Sequence, residues 1–251
     1  MDYSKTEDWI LTRLPSYQAI GKKAYNPGLN NVVKFISVLE LSLDSLKLIH
    51  VGGTNGKGST SAYISSILQE SKYKVGIFTS PHFFDFRERI KINNKMIEKS
   101  FIVNFINDNK NLIEKLELSF FELSFCISLA YFIKSKVDYS IIEVGLGGRL
   151  DATNIIDPLI SVITNISYDH TDILGDTLEE IANEKAGIFK KNSKIIIGER
   201  NKIVDEVFIK KAKEVSSLIT FVPDLNDQEN YSTVNYLNTN IKTAIYTCRA
   251  L

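Results

Sequence analysis

The run Lys47-Leu48-Ile49-His50-Val51 opens directly onto Gly52-Gly53-Thr54-Asn55-Gly56-Lys57-Gly58-Ser59-Thr60, after which apolar residues recur at helical spacing as far as Ser71. A buried strand, a glycine-rich turn and a helix in immediate succession leave few folds open. The turn takes conformations that glycine adopts freely, and the helix begins with unsatisfied N–H groups aimed back at it. Those N–H groups and the positive end of the helix dipole then converge on one spot, which suits a phosphate. The Lys57 ammonium can reach the terminal phosphates of a nucleotide, and Ser59 or Thr60 can approach phosphate or its metal ion. Thr54, Asn55, Gly56, Lys57, Gly58, Ser59 and Thr60 are therefore the candidate nucleotide-binding residues. The spacing departs from GxxxxGKS/T, because Val51 holds the place of the first glycine and Gly58 stands between Lys57 and Ser59.

The rest of the chain repeats the alternation. Strands are predicted at 47–51, 73–79, 139–144, 159–164, 194–197 and 218–222, and helices at 59–71, 100–115, 121–135, 178–189 and 202–216. Strands alternating with helices predict an α/β fold, a mostly parallel sheet flanked by helices. Several strands are apolar at successive residues, as strands covered on both faces are. The alternation in 89–97 with Asn93-Asn94 at its centre predicts a small hairpin. After Pro223 the pattern breaks: 224–233 is polar and turn-rich, and 239–251 resumes a helical pattern. The reading is a domain over 1–223, with 224–251 as a linker and the start of a further domain.

Charge excludes some partners. The 30 basic and 30 acidic residues cancel and no dense basic block is present, so nucleic acid is not expected as a partner. The longest apolar runs fall far short of a membrane span. The acidic N-terminus lacks secretory character and only Cys126 and Cys248 are present, which fits a reducing cytoplasm.

The string from His50 to Ser59 resembles the phosphate loop of the folylpolyglutamate synthase/dihydrofolate synthase family of the Mur ligase superfamily. Further stretches agree in order: Thr79-Ser80-Pro81-His82 with Phe86-Arg87-Glu88-Arg89-Ile90, Phe120-Phe121-Glu122, Glu143 through Asn154, Asp169-His170-Thr171 with Leu174-Gly175, and Glu184 through Ile188. Gly-Leu-Gly-Gly-Arg-Leu-Asp, within 145–151, is particular to the folate branch. The resemblance implies a P-loop-type central domain, a second C-terminal domain, and a monomeric enzyme. It would use ATP to join L-glutamate to dihydropteroate, or to a folate's glutamate tail, through an acyl phosphate. Another Mur-type ligase, or a noncatalytic module that binds ATP or pterin, are the alternatives. The second domain would supply the remaining nucleotide and glutamate contacts, and Asn240 to Ala244 resembles the helix that leads into it.

By the same resemblance Ser80, Glu143 and His170 ligate Mg²⁺, Lys185 is carbamylated to support a second Mg²⁺, and Lys57, Lys185 and His170 are catalytic. The pterin side falls to Pro27, Gly28, Leu29, Asn30, Ser119, Phe120, Phe121, Glu122, Leu150, Asp151 and Ala152. The residues themselves leave other readings open. Ser80 alone reads as a turn hydroxyl before Pro81. Glu143 alone reads as a strand-end carboxylate that needs some partner. Imidazole is an unusual Mg²⁺ ligand, so His170 rests on the resemblance. Lys185 alone is a helix lysine, Phe120 and Phe121 are core aromatics, and Arg87 and Arg89 are either anion-binding or solvated. Asn30-Asn31 replaces an acidic-basic pair frequent in the family.

Overall fold

The computed structural model describes residues 2–14, 28–224 and 231–251. Eight strands form one sheet: β1 (Leu48–Gly52), β2 (Val75–Phe78), β3 (Ile90–Ile92), β4 (Lys95–Met96), β5 (Tyr139–Glu143), β6 (Ile160–Ile163), β7 (Lys194–Ile197) and β8 (Leu218–Phe221), in the order β4-β3-β2-β5-β1-β6-β7-β8. The six strands from β2 to β8 across the sheet are parallel, and β3 and β4 run antiparallel at one edge. All six predicted strands and the predicted hairpin are present. The hairpin turns on Asn93 and Asn94, whose φ angles of 46° and 64° are those of a two-residue type I′ connection.

The helices are α1 (Tyr3–Arg13), α2 (Asn30–Val38), α3 (Lys57–Glu70), α4 (Lys99–Lys115), α5 (Phe120–Ser135), α6 (Thr171–Leu174), α7 (Leu178–Ala186), α8 (Lys202–Glu214) and α9 (Asn235–Ala250). Strand alternation sorts them into two layers. Ile49, Val51, Val162 and Ile196 face α3 and α9 with Ile64, Leu68 and Ala244. Leu48, Phe78 and Ile142 face the opposite way, into a core with Phe125, Phe132 and the apolar residues of α1, α2 and α4. On that same face Ile163, Ile195 and Ile197 meet Ala182, Ala186, Val204 and Phe208 of α7 and α8. Helix α5 is buried nearly all round, which explains its unbroken apolar sequence.

The break expected after 223 does not separate two packed units. Helix α9 lies on α3 and against β7, and Ala244 shares a core with Val51 of β1. Thr243 fills the space beside Gly198, and Lys194 Nζ donates to the Ala250 carbonyl. Beyond the polar stretch, the chain described from 231 onward packs on the same sheet. Strand β1 lies inside that sheet between β5 and β6, and the loops that follow β1, β2, β5 and β6 gather at one edge, where open α/β sheets place their ligands.

Candidate active site

The phosphate loop is held from outside as much as by its own glycines. Thr54 N–H donates to the Asn165 carbonyl at 3.0 Å, Asn55 N–H to Asn165 Oδ1 at 2.9 Å, and Ser167 N–H to Thr54 Oγ1 at 3.1 Å. Thr164 Oγ1 donates to the Asn55 carbonyl at 2.5 Å. The loop after β6 is thus laced to the loop after β1. Gly53 has φ 136°, and a Cβ there would stand 1.9 Å from Thr164 Oγ1, so only glycine fits this crossing. Gly56, at φ 78°, begins α3, and a Cβ on it would come within 2.4 Å of Asn240 Oδ1.

Two lysines converge on one carbonyl. Lys57 Nζ donates to the carbonyls of Gly53 and Thr54 at 3.1 and 3.0 Å. Lys185, buried on α7, donates to the same Gly53 carbonyl at 3.0 Å. Burial, reinforced by repulsion from Lys57, brings the Lys185 pKa down from 10.5 to about 8, while Asp169 and Asp151 act in the opposite sense. The amine is therefore far easier to deprotonate than a surface lysine. Glu143 closes the other side. It is buried, Gly58 lies above it with a would-be Cβ 3.6 Å from Oε2, and Oε2 accepts from Ser80 N–H at 3.1 Å. Burial raises its pKa to about 7, against the pull of Lys57, the Ser80 N–H and Arg89.

Ser80, Glu143, Lys57 and Lys185 are thus drawn around one loop. His170 stands on the adjoining loop, at the start of α6 with φ 45°, its Nε2 3.6 Å from Asp169 Oδ1. Among the described residues no group of three or more His, Cys, Asp and Glu side chains forms a metal cluster. The donor set offered by Ser80 and Glu143 is nevertheless one of hard oxygens, and a buried carboxylate with a raised pKa is what a hard cation relieves. These residues fit Mg²⁺.

Helix α2, which begins at Asn30, packs on α5 and on the turn 152–155, and Gly28 before it stands in open space. Pro27 lies outside the described residues. The two phenylalanines divide their roles: Phe120 is buried against Phe86 and His82, whereas the Phe121 ring covers Gly145, where a Cβ would meet it at 2.5 Å. Ser119 and Glu122 form a capping box for α5, with Ser119 N–H donating to Glu122 Oε2 at 2.7 Å and Glu122 N–H to Ser119 Oγ at 3.2 Å. Glu122 Oε1 is buried with no hydrogen-bond partner among the described residues, and burial raises its pKa. Of the two open arginines, Arg87 pairs with Asp85 at 2.6 Å. Arg89 is buried over the Phe120 ring, donates to His82 Nδ1 at 2.8 Å, and has its pKa lowered to about 10 by burial.

Thr164, Asn165 and Ser167 belong to the site but carried no sequence signal, because each meets the phosphate loop from more than a hundred residues away, and Asn240, read in the sequence only as part of a helix leading onward, lies against Gly56. A family model described as the Mur ligase middle domain matches residues 51–247. The chain belongs to this family. As a Mur ligase middle domain it is similar to the dihydrofolate synthase/folylpolyglutamate synthase of Bacillus subtilis, 41% identical over 201 residues that cover 77% of this chain and 45% of that protein. It resembles the crystal structure of folylpolyglutamate synthase from Thermotoga maritima with a TM-score of 0.84 and 30% identity, covering 99% of this chain and 62% of that one. E. coli FolC, solved in complex with DHPP and ADP, matches with a TM-score of 0.83 and 30% identity, covering 100% of this chain and 62% of that one. The chain spans about half the length of the curated relatives it matches. Among the described residues no helix is long and apolar enough to cross a membrane.

Proposed function

We propose that this Mur ligase middle domain serves an ATP-dependent ligation of L-glutamate to dihydropteroate or to the glutamate tail of a folate, in the cytoplasm and as a monomer. The observation that carries the reading is the convergence of Lys57 and Lys185 on the Gly53 carbonyl beside the Ser80–Glu143 pair. That places positive charge, N–H donors and a buried carboxylate around one phosphate-sized position.

A carboxylate is a poor electrophile, so the amide bond requires activation. The substrate carboxylate oxygen attacks the γ-phosphorus of ATP, the bond to the β-phosphate oxygen breaks, and ADP leaves. The amine of glutamate then attacks the acyl carbon of the acyl phosphate, and inorganic phosphate and a proton depart. Both steps depend on alignment and on countercharge placed in advance. Within the loop 54–60, the backbone N–H groups of residues 56–59 at the N-terminus of α3 hold the phosphates, while those of Thr54 and Asn55 brace the loop on Asn165, and Lys57 exchanges its loop carbonyls for phosphate oxygens. Ser80, Glu143 and His170 would hold Mg²⁺, which neutralises phosphate charge when bound. Lys185 is suited to carbamylation: its neutral amine adds to CO₂ with loss of a proton, and the resulting anion favours a second cation. The supporting feature is its pKa of about 8.

Relatives with the same fold bear the names of folate-glutamate ligases, and one was solved with DHPP and ADP. Phe121 over Gly145, with Asp151 beside it, supports a flat aromatic substrate on that side. The test is the product. The chain incubated with Mg²⁺, ATP, dihydropteroate and L-glutamate is expected to yield the glutamyl amide, detected by mass spectrometry. Binding of an ATP analogue and of pteroate with no amide formed would assign the chain a binding role instead.

A further inference from the structure

Asp151 is buried beside Gly145 on the pterin side, and its carboxylate accepts several hydrogen bonds from its own loop. Oδ2 accepts from Leu146 N–H at 2.9 Å, and Gly145 N–H also donates to the carboxylate. Oδ1 accepts from Thr153 N–H at 3.0 Å and from the Thr153 hydroxyl in a short contact. These bonds fix the loop that runs from Glu143 past Gly145, the glycine beneath Phe121. The chain of contacts continues downward, since Thr153 Oγ1 lies 2.8 Å from Nε2 of His50, in the middle of β1.

Donor counting orients this chain. Burial raises the Asp151 pKa, but the donors from Thr153, Leu146 and Gly145 act in the opposite sense and favour the carboxylate, so the single proton of the Thr153 hydroxyl goes to Oδ1. Oγ1 must then accept from His50, which places the imidazole proton on Nε2. His50 Nδ1 is left bare, and it is buried with no hydrogen-bond partner among the described residues. Burial, aided by nearby Lys190, holds His50 neutral with a pKa of about 3. A histidine this deep, oriented by a single bond, is costly unless that bond matters.

We infer that His50 and Thr153 are positioning residues: a buried strut His50–Thr153–Asp151 tethers the 143–151 loop to the central strand and thereby sets the pterin-side wall. This inference rests on the pterin-side reading above. It differs from a direct ligand role for Asp151 alone, because it assigns the effect to two fully buried residues behind it. The strut enters β1 two residues before Gly52, so the same strand that delivers the phosphate loop also anchors the wall across from it.

The test separates wall from loop. In calorimetric titrations, Thr153→Val, which keeps the shape and removes the hydroxyl, is expected to weaken pteroate binding roughly tenfold while leaving binding of a nonhydrolysable ATP analogue within about twofold. Thr153→Ser and His50→Gln, which keep the hydroxyl and an N–H near Nε2, are expected to restore most of the loss. Wild-type pteroate binding with no change in Thr153→Val would overturn the strut. Equal losses for both ligands would also overturn it, since that is general damage to the fold. A wild-type chain that binds the ATP analogue but not pteroate would overturn the pterin-side reading itself. Independently of ligands and variants, ¹⁵N NMR of the wild-type imidazole is expected to show a neutral Nε2–H tautomer down to about pH 5. An Nδ1–H tautomer, or protonation near pH 6.5, would refute the geometry.

Discussion

Replacing Lys185 by Met is expected to stabilise the fold while destroying the function. The side chain is 3% exposed, and its pKa falls from 10.5 to about 8 mainly through burial. That drop corresponds to roughly 3 kcal/mol disfavouring the ammonium in the folded state. Below pH 8 the amine is protonated in both folded and unfolded chains, and the folded chain bears the whole cost. Between pH 8 and 10.5 the unfolded chain binds the proton more tightly, so stability rises with pH, and above 10.5 the cost is gone. Methionine has a similar volume and no charge. It forfeits the bond to the Gly53 carbonyl, worth about 1 kcal/mol, but Lys57 still donates to that carbonyl. The net gain at pH 7 is about 2 kcal/mol, or roughly 5 °C in melting temperature. The assay is urea and thermal unfolding of both chains in CO₂-free buffer from pH 6.5 to 10.5. Bicarbonate added at pH 8 is expected to stabilise the wild type and not the variant. A Lys185→Met chain no more stable than wild type at pH 7, or a difference that persists at pH 10.5, would refute the reasoning.

Two further outcomes follow from the same geometry. Glu143→Gln is expected to be indistinguishable from wild type near pH 4 and to gain relative stability as pH rises from 4.5 to 7, with the full difference above pH 7, because the carboxylate titrates near 4.5 unfolded and about 7 folded and the unfolded chain loses its proton first; melting curves check it, and the variant should lose Mg²⁺-dependent gain in ATP-analogue affinity. Gly56→Ala is expected to cost about 1–3 kcal/mol, since φ is 78° and the new methyl meets Asn240 Oδ1 at 2.4 Å. Adding Asn240→Ala should recover the steric part in the same unfolding experiment, leaving the backbone part.

The sheet was legible because buried parallel strands are written as short apolar runs, and 47–51, 139–144 and 194–197 needed little adjustment. Helices α1 and α2 were not anticipated. In α1 only Thr6, Trp9 and Ile10 are buried, so its sequence carries little periodicity. Helix α9 was recognised as helical, but its packing on α3 and β7 carried no sequence signal, because it joins residues distant in the chain. In the site, Lys57, Ser80, Glu143 and Lys185 were named from motifs and do converge. Phe120 and Phe121 show what a motif leaves undecided: adjacent helical positions point about 100° apart, so one fills the core and its neighbour covers Gly145. The lacing by Thr164, Asn165 and Ser167 joins loops distant in sequence, and the His50–Thr153–Asp151 contact spans two motifs that each read as complete alone.

The central claim is that the loop at 53–60 delivers ATP to a substrate carboxylate. ADP release measured with Mg²⁺-ATP, dihydropteroate and L-glutamate tests it most directly. Release that requires all components, and that falls at least about a hundredfold in Lys57→Ala, is the expected result. Release at an undiminished rate in Lys57→Ala, or without dihydropteroate, would contradict it.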